Sequence, residues 1–262
     1  IAQAYFCMGQ TDKAKQFEAN VESSEAGKVA RVRAMQADEA TFDAEIKALD
    51  ACVASKNFDA LRNTLESSTQ LYDRFYGNAE RRNLIENKLK ESWKTMPLLV
   101  RIEILMELSR IATQHGDKAK AMELAGEIQE IVDGATWPTT YRIVLAARVA
   151  LAQFQAGDSA KSRTTADAAL SLFDTERDQI IDIERAQCLL PLAETYKAMG
   201  DTSAALTVYK RAIENSVINP NSRPRAEDLS AICRSMAKHA VEPDAAMWSS
   251  IRKSNKELGH PW

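Results

Sequence analysis

Histidines and paired acidic residues are the side chains of this chain that could hold a metal or carry acid–base catalysis. The histidines at 115, 239 and 260 form neither an HxxxH nor an HxH pair, so the spacing that binds a metal is missing. Asp38 and Glu39 lie on a face that the helical pattern predicts to be exposed, where solvated charge is more common than acid–base chemistry. No serine or cysteine lies in a nucleophile motif, and the nine glycines are spread singly rather than gathered into a phosphate-binding loop. We therefore expect no catalytic site, no metal and no cofactor, and we expect that the protein is not an enzyme.

Composition excludes further classes of function. The net charge is −3 with both signs interspersed, so no global field would attract nucleic acid or an anionic membrane. No apolar run approaches the ~20 residues that a membrane span needs. The cysteines at 7, 52, 188 and 233 lie in apolar helical contexts without short spacings. They predict buried, reduced thiols rather than two disulfides, and hence a reducing compartment such as the cytoplasm.

The elements that would position any site are helices in antiparallel pairs. Runs rich in alanine, leucine, lysine, glutamate and glutamine predict helix almost throughout the chain. In residues 189–213 two amphipathic patterns meet at Gly200 and Asp201, too close together for anything but a helical hairpin. Gly200 can adopt the left-handed conformation that ends a helix, and Asp201 can cap the first free amides of the next. Gly-Asp turns also begin at 116 and 157, so the three turns are separated by 41 and 43 residues.

This hairpin closely resembles a tetratricopeptide repeat. The residues at the small and large consensus positions of that family are Leu192, Ala193, Tyr196, Gly200, Ala205, Tyr209 and Ala212. Residues 1–21 are similar to the same repeat, and residues 98–132 and 139–173 resemble it more weakly. The family's period is about 34 residues, so the longer intervals here predict helices extended by about one turn each.

The resemblance implies an all-α, right-handed solenoid of antiparallel helix hairpins. Each hairpin exposes apolar surface until a neighbour covers it, which favours stacking. We assign residues 1–218 to this repeat array. Residues 25–95 would hold degenerate or inserted hairpins, because a proline-free helical pattern from 26 to 55 and a second helix after residue 57 predict one long hairpin without the family's glycine.

The two ends of the chain differ from the repeats between them. After a loop that contains two prolines, residues 219–262 predict two capping helices, near 225–240 and 243–258, and a tail. At the other end the first helix starts only eight residues before Gly9, so we expect a fragment of a longer array. The uncovered face of this open N-terminal repeat, with Ala2, Tyr5 and Phe6, would then be available for self-association.

The resemblance places the binding surface on the concave face of the solenoid, and alignment through the Gly-Asp turns predicts its lining. The predicted partner-binding residues are Arg110, Thr113, Gln114, Arg148, Leu151, Phe154, Gln155, Glu194 and Lys197. Their mixture of apolar and polar groups suits an extended peptide or a partner helix. Two alternatives stay open: the apolar members are core between helices, and the cations are ordinary solvated surface. The carboxylate clamp of some family members is not expected, because only Arg148 supplies a suitable cation.

We therefore predict a protein–protein interaction scaffold or adaptor that binds a protein or peptide in its groove. The alternative is a ligand- or peptide-sensing regulatory domain of a larger signalling or transcriptional protein. A nucleic-acid partner would need a basic stripe, and the cations at Arg81 and Arg82 are too few and too local. Two conspicuous side chains have structural explanations instead. We expect His115 to cap a helix and Trp137 to pack in a loop.

Overall fold

The computed structural model describes residues 1–18, 23–55 and 58–258, and most of these residues lie in helices. Side chains are described for these residues except Phe6, Glu18, Thr95 and residues 23–28, 52–55 and 58–63. The α-helices are α1 (Ala2–Cys7), α2 (Thr11–Glu18), α3 (Ser23–Met35), α4 (Phe42–Ser55), α5 (Phe58–Arg74), α6 (Ala79–Glu91), α7 (Leu98–Gln114), α8 (Lys118–Asp133), α9 (Thr139–Ala156), α10 (Ser159–Glu176), α11 (Asp182–Ala198), α12 (Thr202–Val217), α13 (Ser222–Lys238) and α14 (Ala245–Glu257). No strand occurs in this described part, so the all-α prediction is confirmed.

The chain forms two compact units, Ile1–Asp117 and Lys118–Trp262. The division falls directly after a Gly-Asp turn. The sequence placed its boundary at residue 218 instead, where the proline-containing loop begins. The assignment of residues 1–218 to one repeat array stays a prediction.

Within each unit, helices pack against the next helix and the next but one. In the second unit α9 contacts α10 and α11, α11 contacts α12 and α13, and α12 contacts α13 and α14. In the first unit α1 contacts α2 and α3, and α5 contacts α3, α4, α6 and α7. This alternation is what stacked helix hairpins produce, because each hairpin buries its apolar face against its neighbour.

The predicted glycine turns have the predicted backbone. Gly9, Gly116, Gly157 and Gly200 have φ angles of 70°, 75°, 99° and 82°, in the left-handed region that favours glycine. The residue after each glycine donates its amide to the carbonyl five residues earlier, a helix-ending Schellman bond; the pairs are Gln10–Tyr5, Asp117–Ala112, Asp158–Gln153 and Asp201–Tyr196. As expected, the carboxylate of Asp201 caps α12 by accepting the Ala204 amide at 2.9 Å.

A fifth turn of the same form follows α13 without a glycine. Ala240 has φ 50°, and the Val241 amide donates to the Met236 carbonyl at 2.8 Å. The two predicted C-terminal helices are present as α13 and α14. Their turn repeats the glycine turns forty residues after Gly200, although alanine at its left-handed position hides it from the sequence pattern.

The aromatic and small residues of the 189–213 hairpin form the core of the second unit. Tyr196, Tyr209, Ala193 and Ala205 are all buried in one apolar cluster that also contains Phe173 of α10. Alanines permit close approach of α11 and α12, and the tyrosine rings fill the space beside them. The spacing of large and small residues in the sequence therefore identified the core correctly.

Residues 26–55 form two helices, so the prediction of one continuous helix was wrong. Helix α3 ends at Met35, and α4 begins at Phe42. Between them, the Asp38 carboxylate accepts the amides of Ala40 at 3.1 Å and Thr41 at 3.0 Å, and the Asp38 amide donates to the Thr41 hydroxyl at 2.9 Å. These local bonds compete with helical ones, and they need neither proline nor glycine. The Thr41 hydroxyl also lowers the pKa of Asp38.

The N-terminal hairpin is covered more fully than predicted. Ala2 is only 4% exposed and lies in a cluster with Ala14 of α2 and Val29 of α3. Tyr5 is half-buried, and its ring stacks on Phe17 with centroids 5.4 Å apart. The following helices α2 and α3 therefore cover the side that carries Ala2, which the prediction left uncovered. The Phe6 side chain lies outside the described residues.

The cysteines differ from one another in burial. Cys188 is buried, and burial raises its thiol pKa to about 12, so this thiol is unreactive near neutral pH. Cys233 is half-buried. Cys7 is exposed, which contradicts the expected burial, because α1 is covered on the side of Ala2 and Cys7 lies five residues further on. The Cys52 side chain lies outside the described residues.

Candidate functional site

The predicted partner-binding residues are divided between the two units. Arg110, Thr113 and Gln114 lie on α7 in the first unit. The second unit holds the others, with Arg148, Leu151, Phe154 and Gln155 on α9 and Glu194 and Lys197 on α11. Helices α9 and α11 are direct neighbours, so the structure brings these two sets onto adjacent helices.

On α7, two of the three predicted residues have partners on their own helix. The Arg110 guanidinium donates to both carboxylate oxygens of Glu107, at 2.8 and 2.6 Å, and this bond raises the arginine's pKa. The Thr113 hydroxyl donates to the Ser109 carbonyl at 3.0 Å. Gln114 is exposed. The positive charge of Arg110 is thus balanced locally, which lowers its value for recognising an acidic partner.

A cavity of about 290 Å³ opens beside this pair in the first unit. Helices α3, α5 and α7 line it with Arg31, Leu65, Glu66, Thr69, Gln70, Val100, Glu103, Ile104 and Glu107. Arg31 forms an ion pair with Glu66. Three carboxylates and one guanidinium group line the cavity, so this surface is acidic rather than cationic.

On α9, the predicted residues lie at the edge of the core. Leu151, Phe154 and Arg148 are partly exposed, and Gln155 is exposed. Most neighbouring residues of α9 are buried, among them Ala147, Val149, Ala150, Ala152 and Gln153. The partly exposed apolar pair is therefore neither full core nor solvated surface, and it lies between a cationic and an amide side chain.

On α11, both predicted residues make contacts within the protein. The Ser235 hydroxyl of α13 donates to Glu194 at 2.6 Å, and Ser235 in turn lies 2.8 Å from the Tyr209 hydroxyl. His239 Nε2 is 3.7 Å from the same Glu194 carboxylate. The Lys197 ammonium donates to the Thr202 hydroxyl at 3.2 Å. Glu194 therefore joins α11 to α13, which sequence spacing could not show because Ser235 lies beyond the proline loop.

His115 has the structural role that was predicted for it. It is the C-cap of α7, and its Nε2 lies 2.6 Å from Asp73. Its ring stacks on Tyr76 with centroids 4.3 Å apart and an interplanar angle of 2°. The Tyr76 hydroxyl donates to Asp117 at 3.0 Å, and burial together with this bond raises the Tyr76 pKa to about 12. The aromatic and ionic partners lock the imidazole in place.

The sequence missed a larger cleft in the second unit, which we name the α8–α10 cleft. Its volume is about 900 Å³, and its lining residues are Gln129, Val132, Asp133, Ala135, Thr136, Trp137, Arg142, Ala146, Thr164, Thr165, Ala168, Ala169, Ser171, Leu172 and Thr175. The indole N–H of Trp137 donates to the Val132 carbonyl at 3.0 Å, as expected of loop packing, yet the residue also lines the cleft. The available sequence signal was the row of small residues on α10 at 164, 168, 171 and 175.

Among the residues that the structure describes, none of the helices has both the length and the apolar content that crossing a membrane requires. Comparisons of the chain with known protein families, with curated proteins and with solved structures find no match.

Proposed function

We propose that this chain is a cytoplasmic interaction scaffold, a tetratricopeptide-like right-handed solenoid whose groove binds a peptide or a partner helix. The helix contacts support this proposal. In the first unit α5 contacts both α3 and α7, and in the second unit α11 contacts both α9 and α13. The first helices of successive hairpins are thus neighbours, which is the packing that a groove-forming repeat array requires.

The observation that carries the proposal is the partial exposure of Leu151 and Phe154 between Arg148 and Gln155 on α9. A bound peptide would cover these two apolar side chains, and the polar side chains beside them suit its backbone or charges. Leu151 and Phe154 are the apolar members of the predicted set, and both are partly exposed. We therefore centre the proposed site on α9.

Substitution of α9 residues tests this site. Peptides selected by display against the intact chain would be measured by fluorescence anisotropy. The double variant Phe154→Ala/Gln155→Ala should weaken binding about tenfold or more, which corresponds to ~1.4 kcal/mol. The matched control, Lys161→Ala/Lys210→Ala, changes two exposed residues of α10 and α12 and should bind like the original chain. Equal loss in both variants, or loss in neither, rejects the α9 site.

The cations of the predicted groove are tested separately. Replacing Arg110, Arg148 and Lys197 together with alanine should leave the melting temperature nearly unchanged, since partly exposed ion pairs typically contribute ~0–1 kcal/mol. If the partner is acidic, the triple variant should bind the selected peptides more weakly, and more so at low salt. Unchanged affinity at every salt concentration would remove these cations from the site.

A ligand-sensing regulatory domain is the second candidate function. The observation that favours it is the α8–α10 cleft, whose volume of about 900 Å³ lies within the range typical of small-molecule sites. Calorimetric titration of the intact chain with spermidine tests whether this cleft binds a small molecule.

A further inference from the structure

We propose that the α8–α10 cleft binds an elongated organic cation, an amine of the polyamine class. The inference rests on the second candidate function, ligand sensing through this cleft. It is independent of the peptide site on α9, because Arg148, Leu151, Phe154 and Gln155 do not line the cleft. It rests on four properties of the lining residues: the direction of their hydrogen bonds, their charge, their aromatic ring and the length of the cleft.

The threonines of the cleft already use their hydroxyl hydrogens within the protein. Thr164 donates to the Ala160 carbonyl at 3.1 Å, and Thr175 donates to the Ser171 carbonyl at 2.9 Å. Thr165 donates to the Gln153 side-chain oxygen at 2.9 Å. A hydroxyl that has donated its hydrogen can only accept a further bond. Three hydroxyl oxygens along α10 are therefore available to a ligand as acceptors alone.

On the opposite wall, Gln129 and Trp137 also donate their hydrogen bonds to groups of the protein. The Gln129 amide nitrogen donates to Asp133 at 2.8 Å, and its oxygen accepts from Gln153 at 3.3 Å. The Trp137 indole N–H donates to the Val132 carbonyl. These donors thus bond within the protein, whereas the second N–H of Gln129 and the Thr136 and Ser171 hydroxyls also line the cleft. At the Thr164, Thr165 and Thr175 oxygens a ligand must itself supply N–H or O–H groups, which ionised phosphates and carboxylates lack.

Charge selects a cation among such donors. Asp133 is the last residue of α8, where the helix dipole is negative and an acidic side chain is intrinsically unfavourable. A bound cation would be attracted by the Asp133 carboxylate and by the negative end of the helix dipole. Arg142 is the one lining residue with a positive side chain, and Glu176 lies 3.3 Å from its guanidinium. The Arg142 charge is thus paired with Glu176, which leaves Asp133 as the lining charge without an ion pair among the described residues.

Trp137 supplies an aromatic surface for the same ligand. Its bond to Val132 holds the indole, and Tyr141 lies beside it with ring centroids 6.4 Å apart. The face of an indole attracts ammonium groups more strongly than other aromatic side chains do.

From Thr164 to Thr175 the wall spans about 16 Å along α10 at the rise of an α-helix, so a linear amine fits better than a compact one.

Calorimetric titration of the intact chain with spermidine tests the inference, and triethylene glycol serves as the neutral linear control. We expect saturable spermidine binding and no binding of the glycol. Asp133→Asn keeps an oxygen for the Gln129 amide and should weaken binding about tenfold, and Trp137→Leu should weaken it to a similar extent. Glu214→Gln removes an equal charge from an exposed position on α12 and should leave binding unchanged.

The outcomes are decisive in either direction. Since Asp133 lies at the unfavourable end of its helix, Asp133→Asn should not lower the melting temperature, so a folding failure would not be confused with lost binding. The inference is overturned if spermidine does not bind at millimolar concentration, or if the glycol binds equally. It is also overturned if Asp133→Asn and Glu214→Gln reduce affinity to the same extent, because that result identifies non-specific attraction to an acidic protein.

Discussion

The hydroxyl of Ser235 donates a hydrogen bond of 2.6 Å to the carboxylate of Glu194. Ser235 lies on α13 and Glu194 on α11, and the Tyr209 hydroxyl of α12 is 2.8 Å from the same serine oxygen. Because the serine hydrogen is directed to Glu194, Tyr209 must donate to Ser235. A short series of hydrogen bonds thus joins three successive helices of the second unit.

Removing the Ser235 hydroxyl, the middle group of these hydrogen bonds, should destabilise the second unit. Ser235→Ala leaves the buried Tyr209 hydroxyl without its partner, and an unsatisfied buried group costs about 1–3 kcal/mol. Urea unfolding followed by circular dichroism would measure the change. In Tyr209→Phe/Ser235→Ala the stranded hydroxyl is gone, so this variant should be less destabilised than the sum of the two single variants. If the free-energy changes of the two single variants simply add in the double variant, the Tyr209 and Ser235 hydroxyls do not stabilise the protein cooperatively.

Ala240→Gly should stabilise the protein. Ala240 is the one non-glycine with a positive φ in the described part of the chain, and this conformation costs an alanine about 1–2 kcal/mol. Glycine also gains freedom in the unfolded state, so we expect a net gain of about 1 kcal/mol or less. Gly200→Ala is the matched reverse change and should destabilise by a similar amount. An added Cβ at Gly200 meets nothing within 4 Å, so a steric clash does not contribute to the change. A rise in the urea midpoint for the first and a fall for the second would confirm the equivalence of the two turns.

Asp201 should make stability depend on pH in acid. Its pKa is lowered, first by the Ala204 amide that it caps and then by Arg163, whose guanidinium is 2.6 Å away. A carboxylate with a lowered folded-state pKa stabilises the protein above its unfolded pKa near 4, and the effect is lost as pH falls through the folded value. Asp201→Asn retains a capping oxygen without the charge. The stability difference between the two proteins should therefore be present at pH 7 and vanish on acidification. A difference that persists unchanged to pH 2 would contradict this assignment.

Self-association through the N-terminal hairpin remains a prediction, with a smaller surface than the sequence indicated. Ala2 is buried. Among the described side chains of this region, Ile1, Met8 and Phe17 are large apolar groups with 80%, 59% and 40% exposure. If they form a contact between copies, Met8→Ser with Phe17→Ser should shift the protein towards monomer in sedimentation equilibrium. The control Leu84→Ser removes an exposed leucine of α6 and should have no effect. If the unsubstituted protein is monomeric at all concentrations in sedimentation equilibrium, this prediction is wrong.

The sequence by itself determined the helices, most of their ends and the glycine turns. Each of these depends on residues within one or two turns of one another. Gly200 can adopt a positive φ whatever surrounds it, and Asp201 caps the helix that follows it directly. The turn at Asp38 is equally local, but its bonds come from side chains that also occur in helices, so the absence of proline and glycine was misleading.

Tertiary structure alone decided which partners the polar side chains of the predicted site have. Arg110, Glu194 and Lys197 carry charges at the predicted spacing, yet the structure gives each an internal partner. The row of small residues on α10 did not by itself predict the α8–α10 cleft, since the lining comes from three helices and a loop and its character depends on where each hydroxyl hydrogen points. A helix is specified by neighbours in the chain, whereas a site is specified by neighbours in space. Hydrogen-bond direction and burial depend on contacts between segments that are distant in the chain, and residue spacing in the sequence does not show these contacts.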